Sequence, residues 1–583
     1  MTGVPAGHRS RTAPRAGLAS LRARLPIPEH VVALGRRTRQ VVLFAAATGA
    51  LTGLGVAGFE WFTRTIVFDH VGRAALAVRV VAPAAGLGLA ALALRFLSRG
   101  ATPSTSDEYI NNFHQAGMRL SLRAAPGRMA ASVATLGLGG ALGYEGPSIY
   151  LGAAVGSALQ RRFSRHFSRE DAKVLLVAGA AAGVSAIFKA PATGLVFALE
   201  VPFQEDFARR MLLPAGIASA VSYMVFVALE GTTPLFSVSG SPPFNLRDLA
   251  GAAVLGVLCG IGARMFALIL VRAKRVAARL RPGARVCAAG GVLAALAVSA
   301  KLALGAPLTL GAGYDNLRWA LAPDRAVVLV VVLFLLRAAA TVATVAGGGV
   351  GGLFIPLVVE GALLGRSVGG LFRTAASGSN FFPLVGVSAF LGAGYRVPLA
   401  GVMFAAEATG RPGFIVPGMV AAMVSQLFMG RASVSPYQVA TRAGHLERRF
   451  SLPLSTALRT DVATMPSDTT LGEFFRHHLI GNREKAVPVV DGNRFVGVMR
   501  IEELHAVPQD RWAAEIVAAH MREDFPVVKP SVLLRDALAI MEESDVDLLP
   551  VVDGDVFVGV VTTTEILKLD EILGHAQGGG LGE

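Results

Sequence analysis

Apolar segments fill most of residues 41–430, and this above all limits what the chain can fold into. Stretches such as VVLFAAATGALTGLGVAGFEWF, ALAVRVVAPAAGLGLAALAL and AVVLVVVLFLLRAAATVATVA match the ~20 residues that a helix needs to cross a bilayer. In hydrocarbon every backbone N–H and C=O must find a partner inside the protein, which makes long spans of this kind helices. Other apolar stretches are interrupted by Gly and Pro, and such breaks persist only where the freed backbone is buried in protein or lines a cavity. With 53% hydrophobic and 16% charged residues and a mean hydropathy of +0.54, the chain reads as a polytopic membrane protein.

Residues 1–40 hold eight arginines and one acid, Glu29. No short apolar core with a small-residue cleavage site follows, so the segment does not read as a removed signal peptide. A basic flank beside the first span instead predicts a cytoplasmic N-terminus, and RRFSRHFSRED at 161–171 is a second candidate cytoplasmic loop. Arginines flanking membrane spans account for the net charge of +15, and no nucleic-acid partner is expected. Cys259 and Cys287 sit in apolar surroundings and form neither a disulfide framework nor a zinc site. None of the eleven histidines begins an HExxH, and no other metal cluster is visible, so an enzyme is not expected. A cation transporter with a regulatory tail would need several acids within its spans to hold a hard cation; those here are few and sit by helix starts or Gly/Pro breaks, which leaves it a distant alternative.

The apolar region repeats itself. APATGLVFALE (190–200) and VPLAGVMFAAE (397–407) share Pro, Gly, Phe and Glu at identical spacing, 207 residues apart, and EGPSIYLGAAVG (145–156) resembles FIPLVVEGALLG (354–365) at an offset of 209. Two matches at nearly one offset predict a duplicated helical unit, as in transporters whose sites lie at a repeat interface among interrupted helices. After Gly430 the composition changes, and 443–459 reads as a polar linker. Beyond it AVPVVDGNRFVGVMRIEEL (486–504) recurs as LLPVVDGDVFVGVVTTTEIL (548–567). Each copy has an apolar run, an Asp-Gly turn, a second apolar run and a helix start, which predicts a β-hairpin followed by a helix. Helical patterns, TTLGEFFRHHL and VLLRDALAIMEES, precede each hairpin. This α/β tail resembles a pair of CBS domains, at 460–510 and 511–583.

GYEGP (143–147) places a glutamate in the middle of an apolar run, where an ionised carboxylate costs roughly 2.5–3.5 kcal/mol even on lenient insertion scales. Proline favours the first position of a helix, so Pro147 is expected to start one behind a glycine-loosened approach, and Pro356 does the same after AGGGVGGLF. A helix that begins inside the membrane aims unpaired N–H groups and partial positive charge at whatever lies before it. Two such ends make an anion site without a formal cation. Glu145 is then a tethered anion that can take a mobile anion's place.

GYEGP, GLFIP and the tyrosine of SVSPYQVAT resemble the signature elements of the CLC family of chloride channels and chloride/proton exchangers, over about 41–442. The resemblance implies an all-α domain of two inverted repeats with broken helices, and a homodimer with one pore per subunit in the plasma (inner) membrane, its N-terminus and CBS pair cytoplasmic. Carried over, Glu145 is the gating and proton-handling residue. The amides of Gly146, Leu353, Phe354 and Ile355 line the path of chloride or another small anion, and the Tyr437 hydroxyl faces the central anion. Three departures stand out. Tyr144 replaces the usual Arg or Lys before the gate, which removes a positive charge from the outer entrance. The usual GSGIP element is missing; its serine falls on Ser104, with Ser106 the neighbouring alternative, although Thr105-x-x-Glu108 also fits an N-terminal capping box. Val201 stands where exchangers carry an inner proton acceptor, while Glu200 matches a glutamate that is usually structural. The non-titratable Val201 leans the reading to passive channel conduction, with chloride/proton antiport as the alternative. No cofactor is expected, apart from an adenine nucleotide as candidate ligand of the CBS pair at Thr562 and Glu565.

Overall fold

Among the described residues, eight helices are long and apolar enough to cross a membrane. The computed structural model describes Gly3 and residues 29–115, 120, 122–167, 173–236, 244–322, 325–372, 380–440, 452–480 and 486–566. Most of the basic N-terminal segment, the end of the 161–171 loop and much of the 443–459 linker lie outside them. The chain divides into two compact units, Met1–Thr441 and Arg442–Glu583.

The first unit is a duplication. Its first half runs α1 (Glu29–Glu60), α2 (Leu76–Leu97), α3 (Ala125–Gly137), α4 (Glu145–Arg162), α5 (Val174–Phe188), α6 (Pro191–Glu200) and α7 (Leu212–Glu230). The second repeats the order as α8 (Leu246–Ala277), α9 (Pro282–Leu304), α10 (Val327–Ala346), α11 (Phe354–Phe372), α12 (Phe381–Gly394), α13 (Pro398–Thr409) and α14 (Ile415–Met429). Equivalent helices pack on equivalent partners: α1 on α7 and α8 on α14, α4 on α5 and α11 on α12.

The α4–α5 and α11–α12 crossings are backbone contacts. A Cβ on Gly152 would overlap the Gly179 carbonyl and one on Gly179 the Gly152 carbonyl; Gly361 and Gly386 stand in the same relation in the second half. Lipid tails are as apolar as leucine, so helices in a membrane gain by close van der Waals approach, which small residues permit. This crossing holds the start of α4 in place.

In the second unit, β1 (Ala486–Asp491) pairs with β2 (Arg494–Arg500) and β3 (Leu548–Asp553) with β4 (Val556–Thr562), both antiparallel, in a sheet of order β1-β2-β4-β3. Each hairpin turns through a glycine in the left-handed region, Gly492 at φ 63° and Gly554 at φ 65°. Helices Leu471–Phe474, opened by a Thr470/Glu473 capping box, and Leu534–Ser544 precede the hairpins.

The segment read as linker does more than link. Leu454 and Ala457 are buried in the core of the second copy with Leu534, Leu549 and Val561, because Arg459 exchanges backbone hydrogen bonds of 2.9 Å with Val560. Conversely Val517, which follows the first copy, packs into that copy's core, and Arg522 bridges to Val498. The copies thus exchange their leading segments.

Gly179→Val is expected to lower stability by about 3 kcal/mol, since the added atoms meet backbone that has no rotamer to yield. The check is the thermal midpoint of the detergent-solubilised protein; Gly58→Val, at a glycine with open space around it, is the control.

Candidate functional site

Helices α4 and α11 begin on either side of one point. Ahead of them Gly143 and Gly352 form an antiparallel bridge, with N–H to carbonyl distances of 2.9 and 2.8 Å, which ties the glycine loop of one repeat to that of the other. A Cβ on either glycine would overlap the Glu145 carboxylate. The helices start at Glu145 and Phe354, so Pro147 and Pro356 occupy the third helical position instead of the expected first. The first four N–H groups of a helix have no partner within it, so a proline there forfeits nothing.

Glu145 is fully buried. Its Oε1 accepts the Phe354 N–H at 2.6 Å, and the carboxylate also meets the amides of Ile355 and of Glu145 itself. Oε2 has no hydrogen-bond partner among the described residues. The amides of Phe354 and Ile355 come from the start of α11, where partial positive charge offsets up to ~2 kcal/mol of the cost of a buried anion. The Phe354 ring fixes them by packing 4.5 Å from Phe188, 4.8 Å from Phe404 and 5.4 Å from Phe197.

The repeat-related α6 and α13 run antiparallel, and each closes the other. Glu200, the last residue of α6, accepts the N–H groups of Leu399 (3.2 Å) and Ala400 (2.9 Å) at the start of α13. Glu407, near the end of α13, accepts those of Ala192 (2.8 Å) and Thr193 (2.6 Å) and the Thr193 hydroxyl (2.6 Å) at the start of α6. Sequence reading singled out Glu200 but not Glu407, although the shared glutamate of the two repeated segments was the available signal.

On one side of Glu145, Tyr144 stacks on Tyr314 (6.4 Å, 17°), and the Arg64 guanidinium stands 5.8 Å from the Tyr314 ring. A cavity of about 260 Å³ lies here, lined by Arg64, Lys189 and Arg318 as well as Glu60 and Glu230. Tyr144 itself brings no charge to this side, and the cations that line the cavity come from other elements.

On the other side a cavity of about 330 Å³ is lined by Ser104, Ser106, Leu353, Tyr395 and Tyr437, among others. Tyr395, buried at 2% exposure, hydrogen-bonds to the Ser106 side chain and the Leu353 amide and packs 5.6 Å from Phe197. Tyr437, at 42% exposure, lies farther toward solvent, and Ser104 is half-buried. Tyr395 was missed; its repeat mate is Phe188, another ring beside the site, and that pairing was the only signal. No capping box forms at Thr105: its hydroxyl donates to the Gly351 carbonyl (3.2 Å), and Glu108 pairs with Arg128 (3.1 Å). Gly146 lies where a Cβ would meet Thr105 Oγ1 and the Gly352 amide. Val201 is buried, its carbonyl accepting from Gln438 at 2.8 Å. A further cavity of about 460 Å³ gathers Glu200, Glu205 and Asp206.

In the second unit the Thr562 hydroxyl accepts the Glu565 N–H at 3.2 Å, so the two residues sit together at the helix start after β4. Among the described residues no group of three or more His, Cys, Asp or Glu could hold a metal ion.

The profile of the voltage gated chloride channel family matches residues 80–430, and that of the CBS domain matches 454–507 and 513–571. The chain is 28% identical over 402 residues to the H(+)/Cl(-) exchange transporter ClcA of Klebsiella pneumoniae (strain 342), spanning 66% of this chain and 85% of that protein. It is 28% identical over 409 residues to the protein of the same name from Citrobacter koseri, spanning 67% and 86%. Among solved structures, a slow cyanobacterial Cl-/H+ antiporter aligns with a TM-score of 0.59 at 20% identity, over 67% of this chain and 94% of that one. A CLC-type fluoride/proton antiporter aligns at 0.58 and 23%, over 69% and 98%. These likenesses show a common fold.

Glu407→Ala removes the acceptor for three donors at the start of α6 and is expected to cost about 2 kcal/mol. Glu407→Gln, which keeps one oxygen, is expected to lose less. Thermal midpoints in detergent check the ranking.

Proposed function

Because this chain belongs to the voltage gated chloride channel (CLC) family of membrane anion transport proteins, we propose that it exchanges chloride for protons, with Glu145 as the gate. One observation carries the reading: the Glu145 carboxylate rests on the amides of Phe354 and Ile355 at the start of α11. Donors that hold a carboxylate also hold a halide, and the two exclude each other from one place. Hydrogen bonds to an ionised acceptor are roughly twice as strong as neutral ones, so protonation loosens the side chain's hold and lets the anion displace it. A single place occupied in turn by chloride and by a protonatable side chain couples the two flows. The amides of Gly146, Leu353, Phe354 and Ile355 form the path, with Ser104, Ser106, Tyr395 and Tyr437 at one mouth.

Val201 favours passive conduction, since valine cannot carry a proton inward. Two observations support exchange instead. The curated relatives are H(+)/Cl(-) exchange transporters, and Glu200, Glu205 and Asp206 line one cavity beside α6, offering protonatable groups where Val201 offers none. The protein acts as a homodimer with one pore per subunit, in the plasma membrane. The mouth beside Arg64 faces outward, and the N-terminus and CBS pair are cytoplasmic. The CBS pair regulates transport and binds an adenine nucleotide through Thr562 and Glu565.

In liposomes clamped with valinomycin, a chloride gradient is expected to drive protons uphill, and Glu145→Ala is expected to abolish proton movement while chloride still passes. Chloride flux with no accompanying proton movement in the wild type would establish a passive channel. Calorimetry of the full-length protein with ATP, ADP and AMP is expected to give binding heat that Thr562→Val reduces; no heat with any of the three would leave the CBS pair a structural role.

A further inference from the structure

Tyr144, the residue before Glu145, anchors the start of α4: its carbonyl accepts the Ser148 N–H at 3.2 Å and the Ser148 hydroxyl at 2.9 Å, and the residue is buried. Its ring is held edge-on by Phe59 (6.3 Å, 72°) and face-on by Tyr314 (6.4 Å, 17°). Tyr314 lines the cavity of about 260 Å³, so the stack stands between that cavity and the gate. Tyr314 also lies within electrostatic reach of the Glu145 carboxylate.

The position of Tyr314 is fixed from elsewhere. It opens the short helix Tyr314–Leu321, behind a loop tied to several other elements. The Gly311 N–H donates to the Gly139 carbonyl (2.9 Å) in the glycine loop ahead of α4, and Gly311, at φ 74°, leaves no room for a Cβ against the Phe68 ring. Fully buried Arg337 of α10 donates from Nη1 to the Thr309 carbonyl (2.9 Å), with Glu360 as the nearby opposite charge. Its repeat mate, Arg128, holds the Thr102 carbonyl (3.2 Å) beside the cavity on the other side of Glu145, so one device shapes both approaches. The Arg64 guanidinium covers the Tyr314 ring and is steadied by Glu60 at 3.0 Å, in a π-helical stretch, Trp61–Phe68, of a kind frequent at functional sites. We propose that Tyr314 is a positioning residue for the gate: stacked on Tyr144, it holds Glu145 in its seat on the α11 amides and so sets how readily chloride takes that seat. A carboxylate and a chloride compete for one set of donors, and whatever stabilises the seated carboxylate raises the chloride concentration needed to displace it. The inference rests on the reading of Glu145 as the gate of a chloride transporter and deepens it.

The test uses the full-length protein in proteoliposomes, with chloride as the probe. Tyr314→Leu keeps an apolar side chain but removes the ring face. It is expected to lower the KM for chloride about fivefold, within the range that an aromatic pair supports, with the maximal rate unchanged. Tyr314→Phe, which keeps the stack, is expected to retain the wild-type KM. In a Glu145→Ala background no carboxylate competes, and Tyr314→Leu is expected to change the KM no further. An unchanged or raised KM in Tyr314→Leu would overturn the role, and a lowered thermal midpoint beside it would leave the tyrosine a structural contact only. An effect of equal size in the Glu145→Ala background would also overturn it, because the ring would then act on ion entry and not on the gate. A Tyr314→Phe that shifts like Tyr314→Leu would assign the effect to the hydroxyl instead of the stack. Tyr314→Met serves the same comparisons if the leucine variant fails to fold. A wild-type protein that carries no chloride would overturn the transport reading and this inference together, whereas the other outcomes, in an active protein, bear on Tyr314 alone.

Discussion

Two helices that begin in the middle of the membrane unit, facing one buried carboxylate, are the constraint around which the rest is arranged. Helix starts leave N–H groups without partners, and in a low-dielectric interior such donors are costly unless something accepts from them. Glu145 accepts at α11. The Gly143–Gly352 bridge satisfies the approaching backbone, and the rings of Phe188, Phe197 and Phe404 exclude water and hold Phe354 in place. The glycine crossings of α4 on α5 and α11 on α12 let these starts approach closely enough to meet.

Duplication solves the matching problem elsewhere. A helix start and a helix end have opposite needs, and two antiparallel copies of one segment present each to the other. Glu200 and Glu407 meet those needs, each accepting from the start of the other repeat's helix. Symmetry ends where function begins: Phe188 and Tyr395 are repeat mates, and only the tyrosine can bond to Ser106 and Leu353.

What could be read in advance follows from this. The spans, the duplication, the paired hairpins and Glu145 were legible because each writes a local pattern: apolar length, shared spacing, an Asp-Gly turn, a lone acid among glycines. Pairings between residues some two hundred positions apart leave no such local pattern: only the repeat offset pointed to Glu407 and Tyr395, and nothing in the sequence pointed to Arg64. Residues 452–459 looked like a linker because their partners, such as Val560, lie a hundred residues downstream. The lean toward a channel rested on Val201, with Tyr144 as a second departure from exchangers; Glu200, Glu205 and Asp206 are neighbours in sequence, and the structure adds that they line one cavity.

The reciprocal caps also have a consequence for biosynthesis. The ribosome delivers α6 long before α13 exists, so the start of α6 emerges with its N–H groups open and its future acceptor, Glu407, untranslated. The Glu200 carboxylate likewise waits for Leu399 and Ala400. The first repeat thus enters the bilayer as an incomplete half, and a nascent chain stalled between the repeats exposes an unsatisfied helix start to lipid. Quality control that recognises polar backbone at membrane depth would find it there, and only the arrival of the second repeat would conceal it.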